Sequence, residues 1–269
     1  MSKFLAIILL LLLPTASFAM KPLKVCVDNR YWYPFAYQEK SIAKGIFIEM
    51  AKTALAKNGI EAEFVVMPIK RCINILGPSG KVAAVLGTPY NKKLNDTLYY
   101  PADAHLSSPS QWRLMQVDFN LVTSNTNPFD FTGELANIPQ PIRIPYAYSN
   151  IIEKINEQGI DIETSKQDES TFYKLLRNNK GSLITTSILT DRFDDTDRFR
   201  DKFTVHPIPI ASLSYFLVFF NSGIVNSNRV NSDTVNSAIV DAELRQKIWA
   251  DITALRDDYI YMLQLLSIY

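Results

Sequence analysis

The chain has 269 residues, 47% hydrophobic and 20% charged, proportions that exclude a disordered or fibrous chain. Its 28 basic residues against 27 acidic ones create no strong field, so charge gives no case for nucleic acid or an anionic membrane surface as partner. The first feature in chain order is a secretory leader. Lys3 supplies a positive start, Phe4 to Leu13 is an unbroken apolar run, and Pro14 ends it. Ser17 and Ala19 then place small residues at the −3 and −1 positions of a cut after residue 19. The run is too short to span a bilayer, which takes roughly 20 residues. No cysteine follows it closely enough for lipid attachment, so a soluble, exported chain is expected to begin at Met20. Removing Lys3 leaves 27 basic against 27 acidic residues. About 250 residues suffice for one large domain or two smaller ones.

Leu23 to Asp28 reads as a buried strand. A helix is predicted from Gly45 to Lys57, with Phe47, Met50, Ala51, Ala54 and Leu55 on one face and Asn58-Gly59 as its stop. Glu61 to Met67 is a second strand, and Arg71 to Leu76 a short helix that buries Ile69, Cys72, Ile73 and Leu76. The Gly77-Pro78-Ser79-Gly80 turn leads into Val82 to Leu86, an apolar run expected of a strand covered on both faces.

About 100 residues later the layout repeats. Ile142 to Ile144 is a strand, and Asn150 with Glu153 has the spacing of a capping box for a helix to Gln158. Ile160 to Glu163 is the next strand, Glu169 to Asn178 a helix with Phe172, Leu175 and Leu176 inward, and Leu183 to Leu189 a third strand. Such alternation implies two parallel sheets with crossover helices, hence two α/β lobes. Ser110 to Val122 and Ser214 to Asn221 read as extended segments crossing between the lobes. Helices from about Val235 to the end carry Leu244, Ile248, Ile252 and Leu255 on one stripe that would pack back on the first lobe. The expected division is lobe 1 over 20–115 and 216–269, and lobe 2 over 116–215.

Two cysteines in an exported chain raise the possibility of a disulfide between Cys26, in an early strand, and Cys72, in a helix of the same half. The alternative is two buried thiols. Their spacing fits no zinc pattern, His105 and His206 are the only imidazoles, and neither a metal nor a cofactor is expected.

Val27-Asp28, Tyr33-Pro34-Phe35, Gly45-Ile46-Phe47-Ile48-Glu49, Pro68-Ile69-Lys70-Arg71-Cys72, Gly80-Lys81-Val82 and Thr88-Pro89 stand in an order that resembles one known family. This is solute-binding protein family 3, the periplasmic polar amino-acid-type binding proteins of ABC transporters. The resemblance covers roughly residues 23–105 and implies a two-lobed periplasmic binding protein type II fold, each lobe a mostly parallel sheet flanked by helices. It implies a small polar ligand gripped between the lobes, where open α/β sheets bind ligands, with closure about a hinge. The partner would be an ABC permease or a membrane sensor, and the protein a monomer.

Carried over residue by residue, the resemblance puts Tyr31, Trp32, Tyr33 and Phe35 in an aromatic loop where the family stacks a ring on its ligand. It puts Arg71 at a helix start facing the cleft, able to pair a carboxylate, with a surface or interlobe ion pair as the other reading. Thr88 ends the third strand, in a segment whose hydroxyls and amides hold a carboxylate. Where amino-acid binders carry an arginine a few residues on, this chain has Lys92 and Lys93. In the second lobe, Tyr146 and Ser149 belong to the loop that meets the ligand, and Thr186 lies in Thr185-Thr186-Ser187, where an acid commonly holds an α-ammonium. The acid near it, Asp191, is displaced, and Ala84 replaces the usual aspartate after Gly-Lys-Val.

No residue pattern calls for catalysis: there is no Gly-x-Ser-x-Gly, no His-Glu-x-x-His and no Cys-His pairing. His206 reads as structural, lying between strands beside Pro207. Asp194, Asp195 and Asp197, among Arg192, Arg198 and Arg200, read as a solvated loop. A binding protein rather than an enzyme is the expectation.

Overall fold

A computed structural model describes residues 21–221 and 240–269. The leader at 1–19 and the helix start near Val235 lie outside the described residues. Among those described, no helix is long and apolar enough to cross a membrane.

Strand β1 (Leu23–Asp28) is followed by a two-stranded hairpin, β2 (Tyr37–Glu39) and β3 (Ile42–Lys44), and by helix α1 (Ile46–Lys57). Gly45 makes that entry possible. Its φ is +124°, and a Cβ there would stand 2.3 Å from the Phe35 carbonyl oxygen, so only glycine fits. Strand β4 (Ala62–Met67) leads to a short helix, Ile69–Arg71, continued by a π-helical turn at Cys72–Leu76. Strands β5 (Ala84–Pro89), β6 (Leu98–Tyr99) and β7 (Met115–Ser124) complete the first half. The second half has β8 (Ile142–Pro145), α2 (Ser149–Asn156), β9 (Ile162–Ser165), α3 (Asp168–Asn178), β10 (Ser182–Thr186), α4 (Ser187–Asp194) and β11 (Phe203–Phe220). Helices α5 (Ala242–Asp257) and α6 (Tyr259–Ile268) end the chain.

Apart from the β2-β3 hairpin, the strands form one mixed sheet in the order β4-β1-β5-β11-β7-β10-β8-β9, with β6 paired to β11. The duplication of layout is visible in this order. β4-β1-β5 and β9-β8-β10 are each a parallel triplet running second, first, third, and β7 and β11 join them by antiparallel pairing. This is the two-lobed α/β architecture.

Burial follows from that layering. In β1, Val25 and Val27 face one apolar cluster and Cys26 faces another; in β11, Leu217 and Phe219 alternate with Phe216 and Val218 in the same way. Both faces are covered, which is why Val25–Val27 and Tyr215–Phe220 are unbroken apolar runs. A third cluster, with Phe172, Leu175, Phe199 and Phe203, fills one face of the second half. Helix α5 buries Ile248, Trp249, Ile252 and Leu255. It docks on α1, where Asn58 Nδ2 donates to Asp251 at 2.8 Å, and on β11, where Trp249 Nε1 donates to the Leu217 carbonyl at 2.8 Å.

Five local expectations are corrected. The run Leu183–Leu189 divides into β10 and α4, because Leu189 and Phe193 lie four apart and Thr190 Oγ1 donates to the Ser187 carbonyl at 2.7 Å. A short apolar run does not by itself separate strand from helix. Helix α4 therefore carries Arg192 and Asp194, and of the expected loop only Asp195, Asp197, Arg198 and Arg200 stand outside it. The second extended segment is not Ser214–Asn221 but an 18-residue strand whose register with β7 breaks between Val205 and Ala211. Pro207 and Pro209 have no N–H for the ladder there. His206 lies in this irregular stretch of the strand and not between strands. Finally, α2 begins at Ser149 with Tyr148 as N-cap and no side-chain capping bond, so the Asn150–Glu153 capping box does not form.

Candidate functional site

The carboxyl ends of β1 and β5 come together beside the N-terminus of α2, and a cavity of about 400 Å³ opens between them. That size suits a small molecule. Asp28 and Arg30 stand at the end of β1, Lys70 on the short helix after β4, and Leu86 to Asn91 at the end of β5. From the other half, Ala147, Ser149 and Asn150 close one wall, and Leu213 and Tyr215 of β11 form the back. Ser149 and Asn150 open α2, and backbone N–H groups at a helix start have no carbonyl partner within the helix, which favours an anion there.

The charged groups are few. Arg30 Nε donates to Asp28 Oδ2 at 2.6 Å, and its Nη2 makes a second bond to the same oxygen. Lys70 is exposed and forms no ion pair among the described residues. Trp32 is 9% exposed, and its Nε1–H is buried with no acceptor. Its ring contacts Phe35, Phe47 and Tyr215 and, across the cleft, Tyr148, at 6.5 Å between centroids.

Behind Tyr148 lies a buried polar group that sequence alone did not single out. The Tyr148 hydroxyl donates to Asp168 Oδ1 at 2.5 Å, and Thr185 Oγ1 donates to the same atom at 2.9 Å. Burial raises the Asp168 carboxyl from 3.8 to about 6, against the lowering effect of those two bonds. Burial, with the adjacent carboxylate, also drives the Tyr148 hydroxyl well above its ordinary value.

Of the residues named from sequence, Trp32, Thr88 and Ser149 line the cavity. Phe35 is fully buried in the core beneath it, in contact with Phe47. Tyr31 and Tyr33 lie on the other side of the loop, with Tyr37 5.3 Å from each. The Arg192 guanidinium sits over the Tyr33 ring at 4.5 Å, and Arg192 also donates to the Tyr269 carbonyl. Arg71, Lys92, Lys93 and Tyr146 are exposed and outside the cavity wall, although Asn91 and Leu94, flanking the two lysines, are in it. Thr186 is fully buried at the end of β10.

Cys26 and Cys72 form a disulfide, with Cα atoms 6.2 Å apart, that ties β1 to the π-helical turn bearing Ile73 of the cavity wall. Sequence reasoning passed over Arg30, Lys70, Asn91, Asn150 and Tyr215. For Arg30 the signal was its place two residues after Asp28. For Lys70 it was the pair Lys70-Arg71, in which helix phase decides which basic residue faces the cleft. Among the described residues no three His, Cys, Asp or Glu side chains cluster as a metal site would require.

This geometry defines a two-lobed α/β protein of the periplasmic binding protein fold, with a ligand-sized cavity at the inner strand ends. No family model matches the sequence, and no curated protein sequence is significantly similar to it. Solved structures are similar over nearly the whole chain. One is a histidine kinase sensor domain with similarity to periplasmic binding proteins, at 13% identity, covering 91% of this chain and 94% of that one, with a TM-score of 0.62. A putative L-cystine ABC transporter from Listeria monocytogenes matches at 13% identity, 91% and 96% coverage and a TM-score of 0.60. The ancestral amino acid-binding protein AncCDT-1, a precursor of cyclohexadienyl dehydratase, matches at 15% identity, 92% and 95% coverage and a TM-score of 0.60. At these identities the likeness is one of fold.

Proposed function

We propose that this protein is an exported solute-binding protein that captures a small polar ligand between its lobes and delivers it to an ABC importer. The observation that carries the reading is the cavity itself: two strand ends from one half and a helix N-terminus from the other converge on about 400 Å³ of space. Ligand contacts to both halves favour the closed arrangement over the open one, the differential binding that hinge closure requires. Lobe 1 comprises residues 20–115 and 216–269 and lobe 2 residues 116–215. In support of this division, β7 starts at Met115 and β11 changes partner from β7 to β5 at Tyr215. The chain acts in the periplasm as a monomer, after removal of residues 1–19, and performs no chemistry on its ligand.

The test is mass spectrometry of metabolites released from the unfolded mature protein, followed by thermal shift with each candidate. A ligand at a thousand times its Kd stabilises by about 4 kcal/mol and raises Tm measurably. A protein that carries no metabolite and responds to no amino acid, organic acid, sugar or polyamine refutes the reading.

A second reading keeps the capture and changes the output, with the closed form presented to a membrane sensor. The similarity to a histidine kinase sensor domain favours it. Loss of uptake in a deletion strain supports the importer; loss of a signalling response with uptake intact supports the sensor.

A further inference from the structure

We infer that the cleft is built for a carboxylate that carries an apolar body and no ammonium group. This rests on the solute-binding reading of the same cavity and narrows its ligand class. The inference comes from the charges in the wall. Three ionisable side chains other than tyrosine line the cavity: Asp28, Arg30 and Lys70. Asp28 gives Oδ2 to two N–H groups of Arg30, so the charge of the single carboxylate in the wall is already offset by that arginine. Lys70 remains as a cation without a partner among the described residues.

The wall therefore carries a net charge of +1, and the opening residues of α2, Ser149 and Asn150, add the partial positive charge of a helix N-terminus. An ammonium group enclosed here would lose its hydration without gaining a carboxylate whose charge is not already balanced, and an unpaired buried charge is costly. Asp168 offers no substitute. It is 6% exposed, bonded to Tyr148 and Thr185, and outside the cavity wall. A carboxylate meets the opposite situation, with a free lysine, an arginine held in place by Asp28 and helix N–H groups. The rest of the wall adds the polar Thr88 and Asn91 to a mainly apolar and aromatic surface that includes Trp32, Ile69, Ile73, Leu86, Leu213 and Tyr215. Such a surface receives an aryl or branched aliphatic body by burying it.

The experiment is calorimetric titration of the mature protein, freed of bound metabolites by unfolding and refolding, with sets of ligands that share a body and differ in charge. One set is 3-phenylpropionate, phenylalanine and 2-phenylethylamine. The second is indole-3-propionate, tryptophan and tryptamine, and the third 4-methylpentanoate, leucine and 3-methylbutylamine. The expected result is that at least one carboxylate binds ten-fold or more tightly than its matched amino acid, with no binding of the amines. Lys70→Met, a change at an exposed position, should remove most of that preference while the melting temperature of the unliganded protein stays the same.

An amino acid or amine that binds as tightly as its carboxylate overturns the charge assignment and leaves the solute-binding reading standing. A preference that survives Lys70→Met overturns the role given to that side chain and with it the charge argument. If no member of the sets binds, the inference fails. The solute-binding reading then fails as well only if the protein also releases no metabolite on unfolding.

Discussion

Asp168 gives the sharpest test of the buried polar group behind the cleft. The fold buries its carboxyl under Tyr148, and desolvation lifts the proton affinity from the ordinary 3.8 to about 6. The folded state then binds a proton between pH 4 and 6 that the unfolded chain has already released. Stability contributed by this group is fully present below about pH 4 and is lost as pH rises through 6. A shift from 3.8 to about 6 is worth about 3 kcal/mol. The perturbation is Asp168→Asn, which keeps an oxygen to accept from Tyr148 and Thr185 and removes the titration. An unsatisfied donor on the new amide group costs the same at every pH, so the diagnostic is the slope and not the level. Urea unfolding of both proteins from pH 7.5 to 4 is the assay. The stability of the natural protein minus that of the variant should rise by about 2–3 kcal/mol across the range, most of it between pH 6 and 4. A difference that stays constant within about 0.5 kcal/mol would refute the reasoning, since it would mean that Asp168 is solvated as in the unfolded chain.

Other perturbations test separate parts of the structure. His206 is buried beside Phe129 and Phe131, and burial lowers its proton affinity, so its contribution is present above the ordinary histidine range and lost as pH falls through it. His206→Gln should flatten the acid-side decline, read by the same urea series. Opening the Cys26–Cys72 disulfide, which closes a 46-residue separation, should cost about 4 kcal/mol on the chain-entropy model. Melting of Cys26→Ala/Cys72→Ala against the parent checks it, and two alkylatable thiols in the denatured parent would contradict the bond itself. Gly45→Ala should destabilise by more than about 2 kcal/mol, because its Cβ meets backbone and not a yielding side chain. Arg192→Ala removes the guanidinium that joins α4 to Tyr33 and Tyr269 across the two halves. The unliganded variant should show a larger radius of gyration by small-angle scattering, with an unchanged radius counting against a latch.

The fold was more legible than the site, and the reason is the range of the forces involved. β1, α1 and β5 were readable because each is covered on a face that extends for several residues, which leaves a periodic record: Phe47, Met50, Ala54 and Leu55 in α1, and the alternation of Val25, Cys26 and Val27 between two clusters in β1. Where the record was short, it misled. Leu183–Leu189 holds too few residues to show whether its period is 2 or 3.6, and the break in β11 depends on what two prolines deny to a neighbouring strand. The site leaves no periodic record. Whether Lys70 or Arg71 faces the cavity turns on about 100° of helix phase, and Asp168 meets Tyr148 only because β8 and β9 are neighbours in the sheet. Aromatic clustering after Asp28 pointed to the right loop but could not divide it. Trp32 turns into the cavity wall and Phe35 into the core, while Tyr33 faces the Arg192 guanidinium. A loop residue's direction is set by tertiary partners such as Phe47 and Tyr215, more than ten residues away in sequence, so a cluster of candidates is what sequence can offer and packing decides among them.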